Sequence, residues 1–227
     1  MKALVKKMFL RGLFLFPHNN IFEFHHVSAD PEIDLSPRKM DTKSFYSFVE
    51  SHGPYVALDE ILEKKKKRYG AITFDDGLED VYTIAYPFLK ERKIPFTIFV
   101  LSRKLDQPGY ITREQLAEMH ADPLVTIGSH GLNHIRLGQA DRQTQEDELK
   151  LSKRELEEIL GDGYVCSRFA YPFGSYNSDT LNLIENTGYA YGYAVKGRPL
   201  LPWNGKKMYE IPRLSIEDGT LGFYQKA

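Results

Sequence analysis

The chain has 227 residues, enough for one large hydrophobic core and short for two ordinary domains. Hydrophobic residues make up 42% and charged residues 27%, which excludes the disordered and fibrous classes. A formal charge of -1 leaves no global field to draw the protein to nucleic acid or an anionic membrane, and with Cys166 as the single cysteine no intrachain disulfide can form.

The first residues, MKALVKKMFLRGLFLFPHNN, pair a basic start with an apolar stretch that Arg11 interrupts and that is too short for a bilayer, which takes about 20 residues. No small-residue cleavage pattern follows. Residues 1–19 therefore read as an N-terminal extension of helical character and residues 20–227 as one domain, with the cytoplasm as the expected location, membrane-peripheral attachment as the alternative, and no stable membrane span. Short apolar runs at 21–24, 69–74, 96–100, 125–129, 169–171, 189–195 and 210–216 predict strands. Helical patterns alternate with them at 42–51, 80–92, 112–120, 141–160 and 178–187. In the fourth helix Leu149, Leu156, Ile159 and Leu160 share a face, Thr144 and Asp147 read as a capping box, and Gly161 and Gly163 stop it. The basic run Lys64 to Arg68 ends a short helix, where positive charge complements the dipole. Repeated βα units with no linker or low-complexity tract predict an α/β fold, a distorted (β/α) barrel of about seven parallel strands, with an open sheet as the alternative.

Three polar clusters follow apolar strands, the place where such barrels carry chemistry. In ITFDDG, the adjacent carboxylates of Asp75 and Asp76 repel unless a cation neutralises them, and one could ligate while the other takes a proton; alone, the pair also suits a helix N-cap and turn. In IGSHGLNH, His130 and His134 stand four apart and offer imidazole nitrogens suited to zinc, cobalt or nickel. Two ligands do not make a site, but a carboxylate from another strand end completes three and leaves a fourth position open. In FAYPFGSY, proline, glycine and aromatics make a tight turn that could present backbone N–H groups to an oxyanion.

Together, and in this order, these clusters resemble the polysaccharide deacetylases of the NodB-homology type, carbohydrate esterase family 4, over about residues 20 to 216. The resemblance implies Asp75 as general base, Asp76, His130 and His134 as ligands of a divalent metal with zinc ahead of cobalt and nickel, and Phe173 as the oxyanion N–H. Gly131 stands where many members have Thr or Ser. Ala170 stands where the third motif often has arginine, so the arginine that orients the base must come from elsewhere, with Arg213 first and Arg168 second. The usual C-terminal Leu-x-x-His is absent. FHHVS is instead similar to the Tyr-His-x-Val strand of a circularly permuted subgroup that includes poly-N-acetylglucosamine deacetylases, which implies His25 as general acid and His26 as its fallback.

The expected activity is hydrolysis of an N-acetylated glycan or a lipid-linked saccharide, with acetate released. Tyr171, Tyr176 and Trp203 are the candidate sugar contacts, since aromatic faces suit a pyranose. The rival readings are a deformylase acting on a lipid-linked amino sugar, a glycan-binding module that has lost catalysis, and a magnesium-dependent phosphatase-like carboxylate pair.

Overall fold

The computed structural model describes residues 18–28, 38–64, 68–161, 163–198, 200 and 207–218. Seven parallel strands close into a barrel in the order β1 (Asn20–Phe24), β4 (Gly70–Phe74), β5 (Phe96–Val100), β6 (Val125–Ser129), β7 (Arg168–Ala170), β8 (Tyr191–Val195) and β9 (Ile211–Ser215). β9 returns to β1 through Phe22↔Leu214 and Glu23↔Ser215, so the open sheet is excluded. β2 (His26–Val27) and β3 (Lys39–Met40) form a separate parallel pair. The helices are α1 (Thr42–Ser51), α2 (Leu58–Glu63), α3 (Tyr86–Glu91), α4 (Arg113–His120), α5 (Arg142–Leu160) and α6 (Ser178–Asn186). Among the described residues no helix is long and apolar enough to cross a membrane.

The pleat explains why the strands are apolar on both faces. Ile21, Ala71, Phe99, Ala170, Tyr193 and Ile211 belong to the cluster that fills the barrel. Their strand neighbours Phe22, Ile72, Ile98, Phe169, Ala194 and Leu214 belong to a second cluster beneath the helices, with Phe45 and Phe48 of α1 and Leu149 and Leu156 of α5. The same alternation puts Glu23, Thr73, Thr97 and Arg213 on the barrel side, all with no exposed surface. These are the polar residues that build toward the site. Gly128 makes room for the Phe99 ring, because a Cβ there would lie 2.6 Å from two of its ring carbons.

Two helix details differ from the sequence reading. α5 is capped by Asp141, whose carboxylate accepts from the N–H of Thr144 at 2.9 Å, whereas Asp147 lies inside the helix and accepts from Gln143. An aspartate one residue before the helix wins because its short side chain reaches the free N–H groups of the first turn. The expected helix over 80–92 divides into a π-helical turn, Val81–Ala85, followed by α3, at a point where Pro87 has no N–H to donate back. Gly161 ends α5 as anticipated, at φ 79°.

Candidate active site

Asp75 and Asp76 emerge at the C-terminal end of β4. Asp75 continues the ladder, its N–H donating to the Phe24 carbonyl at 3.0 Å, and the chain then reverses through left-handed Asp76 (φ 73°) and Gly77 (φ 77°). At the end of β6, the His130 N–H donates to the Val100 carbonyl at 2.8 Å, and the loop to His134 follows. The two histidines and Asp76 meet at one point: Nε2 of His130 and Nε2 of His134 each lie 3.4 Å from Asp76 Oδ1.

This donor set fits a divalent cation. The Nδ1–H of His130 donates to the Ala170 carbonyl at 2.9 Å, which leaves Nε2 as a lone pair facing the carboxylate. Asp76 Oδ1 is buried and meets no hydrogen-bond donor among the described residues. An imidazole lone pair and an orphaned carboxylate oxygen aimed at one spot are costly without a positive charge between them. Two imidazoles and one carboxylate also match the ligand types of catalytic zinc, with a fourth position open.

Asp75 is held differently. Arg213, fully buried, donates from Nη1 to Oδ1 at 2.7 Å and from Nη2 to Oδ2 at 2.6 Å, a bidentate pair, and Nη1 also reaches Thr73 Oγ1 at 3.1 Å. Burial alone would raise the Asp75 carboxyl. The Arg213 guanidinium and His130 outweigh it and hold the carboxyl well below the usual range. Arg168, the second candidate for this task, is engaged elsewhere, with Nε donating to Asp59 Oδ1 at 2.7 Å.

His25 and His26 point to different partners. Nδ1 of His26 lies 2.8 Å from Asp80 Oδ2, whereas His25 groups with Glu23 and Asp75, their ligand atoms all within 4.8 Å. Arg38 Nη1 donates to His25 Nε2 at 3.0 Å and to Glu23 Oε1 at 3.3 Å, and Nε2 lies 3.4 Å from that same oxygen. Burial pushes His25 down to about 4, against the pull of Asp75 and Asp76. Burial and then repulsion by Asp75 push Glu23 up to about 8. Burial thus favours the neutral form of both side chains, the imidazole of His25 and the carboxylic acid of Glu23. Glu23 and Arg38 were not singled out from the sequence. The available signal for Glu23 was a lone charge inside the apolar run IFEF, at the parity that faces the barrel.

Phe173 sits at φ 59° in the turn Pro172–Gly174, its ring 4.3 Å from that of His134 and half-exposed, with the Arg136 guanidinium 4.0 Å from the ring centroid. The turn is closed by the N–H groups of Gly174 and Ser175, which donate to Tyr171 and Pro172. Tyr171 does not reach the surface: its side chain is fully buried and its hydroxyl donates to the Tyr209 carbonyl at 2.9 Å, so the expectation of a sugar contact is corrected to a core role. The pleat that directs Ala170 into the barrel sends the next side chain outward beneath the covering layer. Tyr176 is half-buried, donating to Glu210 Oε1 at 2.8 Å beneath Lys196 Nζ. Trp203 lies outside the described residues. Cys166 is buried, and burial pushes its thiol up to about 11.

The profile of a family described as polysaccharide deacetylase matches residues 62–192, more than half of the chain. A Bacillus subtilis protein, YxkH, whose name places it among polysaccharide deacetylases, is 32% identical over 70% of this chain and 56% of its own length. The chain thus spans little more than half of that relative. A poly-beta-1,6-N-acetyl-D-glucosamine N-deacetylase of Staphylococcus aureus is 28% identical over 92% of this chain and 79% of its own. Among solved structures, IcaB from Ammonifex degensii superposes with a TM-score of 0.80 at 21% identity, covering 92% of this chain and 96% of that one. The Streptococcus pyogenes deacetylase PplD, solved in complex with acetate, gives 0.78 at 23% identity over 91% and 96%. Both show the same fold.

Proposed function

Because the chain belongs to the polysaccharide deacetylase family, we propose that it hydrolyses the N-acetyl amide of an amino-sugar glycan, releasing acetate and leaving a free amine. The observation that carries this reading is the convergence of Asp76, His130 and His134 beside a carboxylate, Asp75, that Arg213 keeps ionised. A divalent cation in that triad, zinc by its donor set, would polarise the acyl carbonyl and acidify water.

The side chains divide the remaining work. Asp75 accepts the proton of the attacking water, a step for which its lowered carboxyl keeps it ionised near neutrality. Arg213 fixes its plane through two hydrogen bonds, so the base cannot rotate away. The backbone N–H of Phe173 is the proposed oxyanion donor, in a turn whose left-handed residue orients it. Protonation of the departing nitrogen falls to His25, with Glu23 beside it as the store of the proton at neutral pH. The half-exposed Phe173 ring and Tyr176 are the proposed sugar contacts.

The relative from Staphylococcus aureus supports a β-1,6-linked N-acetylglucosamine polymer as the first substrate to try, and a lipid-linked or formylated amino sugar is the second. A glycan-binding module without catalysis is disfavoured, because His25 and Arg213 stand beside Asp75. The test is metal content by plasma mass spectrometry together with acetate release from N-acetylglucosamine oligomers. About one zinc, cobalt or nickel ion per chain is expected, lost in His130→Ala, with Asp75→Asn keeping the metal and losing at least about a hundredfold in kcat. Normal turnover in Asp75→Asn removes the base assignment. No metal after reconstitution removes the hydrolase reading.

A further inference from the structure

His134 reaches the cluster through a backbone conformation that its own side chain does not favour. The loop from His130 turns within four residues, with Gly131 at φ 90° and His134 at φ 57°, a region that side-chain-bearing residues rarely adopt. Polar groups from α5 hold it there. Glu148 is 3% exposed, and its Oε2 accepts from the N–H of Leu132 at 2.7 Å and of Asn133 at 3.2 Å, while Oε1 accepts from Asn133 Nδ2 at 2.7 Å. One helical turn further, Ser152 accepts from Ser129 Oγ at 2.9 Å, and that same oxygen accepts from the Gly131 N–H at 3.1 Å. A single face of α5 therefore grips the loop at its start and at its middle.

We propose that Glu148 is the positioning residue of the metal-binding loop. Its carboxylate pins the two N–H groups that precede His134 and so fixes the left-handed turn that aims the second imidazole at Asp76. The same geometry bears on Gly131: a Cβ there would come within 2.8 Å of Glu148 Oε2, so a larger residue would push the carboxylate from its place on the loop N–H groups. Glu148 touches neither the ligand atoms nor the reacting centre; it acts through the backbone of 132–134. The inference rests on the reading of Asp76, His130 and His134 as a cation site.

The experiment titrates cobalt(II) alone into metal-free protein and follows both the binding isotherm and the visible absorption of the bound ion, which reports coordination geometry. Glu148→Leu keeps a side chain of similar bulk but removes the acceptor of all three donors. It should weaken cobalt binding by about 10- to 100-fold and alter the visible band. Asn133→Ala, which removes one of the three bonds, should give a smaller loss. Thermal unfolding of the metal-free variants runs in parallel, because a side chain needed only for folding would lower the melting temperature and leave the cobalt affinity and band of the folded protein as they were. That outcome, or affinities within about twofold of the unaltered protein in both variants, overturns the proposal. If the unaltered protein binds cobalt and the variants match it, the proposal alone falls. If the unaltered protein binds none, the metal-site reading falls with it.

Discussion

Replacing Arg213 with methionine isolates the electrostatics of Asp75, the proposed base. The guanidinium is fully buried and lies within 2.7 Å of both Asp75 oxygens, whose side chain is 2% exposed. Unit charges about 4 Å apart at an effective dielectric of about 20 interact by roughly 4 kcal/mol, and removing one partner of a buried pair is generally found to cost about 3–5 kcal/mol. That is a large part of the roughly 5–15 kcal/mol that holds a domain folded. The pH dependence gives the sign. In the unaltered protein the Asp75 carboxyl titrates below its unfolded value, so its stabilisation is present above about pH 4 and disappears as the pH falls through the folded value. Without Arg213, burial dominates and the carboxyl titrates above its unfolded value, so a penalty grows as the pH rises. Urea denaturation of metal-free Arg213→Met should therefore show the full loss at pH 8 and a smaller one at pH 5. Adding Asp75→Asn to the same chain should recover most of it, since a neutral amide replaces the stranded charge. A loss under about 1 kcal/mol, the size of a surface pair, or a loss independent of pH, refutes the account.

Metal-free protein should be most stable near pH 6.5. Between about pH 4.5 and 6.5 the unfolded chain binds protons on His25 and His130 that the folded chain, with both pushed down to about 4, does not, against one that folded Glu23 retains; stability then rises by about 1.4 kcal/mol per unit. Above that, only the extra proton on Glu23 distinguishes the states, so stability should fall toward pH 8, and a Glu23→Gln variant that still falls there contradicts the assignment. Gly128→Ala forces a methyl group into the Phe99 ring and should lower stability by about 1–3 kcal/mol; an unchanged melting temperature would mean that the ring does not occupy the barrel interior as described.

The barrel was legible because its strands are short apolar runs separated by turn residues, and the proposed triad and Asp75 drew notice because they stand in polar clusters that follow two of those runs. Arg213 could be named but not placed: nothing local in IPRLS says that its third residue faces the barrel, which depends on how β9 pairs with β8 and β1. Glu23 escaped notice for the same reason, since a charge in a short strand reads as solvent-facing until the strand is known to close a barrel. Tyr171 misled because nearness to a motif in sequence does not fix the direction of a side chain, and its ring packs against Phe169 and Tyr176 instead. β2 and β3, two residues each, are too short to show any period.

Asp76, His134 and Phe173 are three residues of the proposed site with side chains at positive φ, and the conformation each adopts costs a residue with a Cβ about 1–2 kcal/mol. Glycine or asparagine at these positions would relieve that strain while deleting a proposed ligand or the ring over His134. The site therefore opposes the stability of the domain that carries it. A laboratory selection for heat resistance alone would drift toward glycine at 76, 134 and 173, and would yield a sturdier barrel with an empty centre.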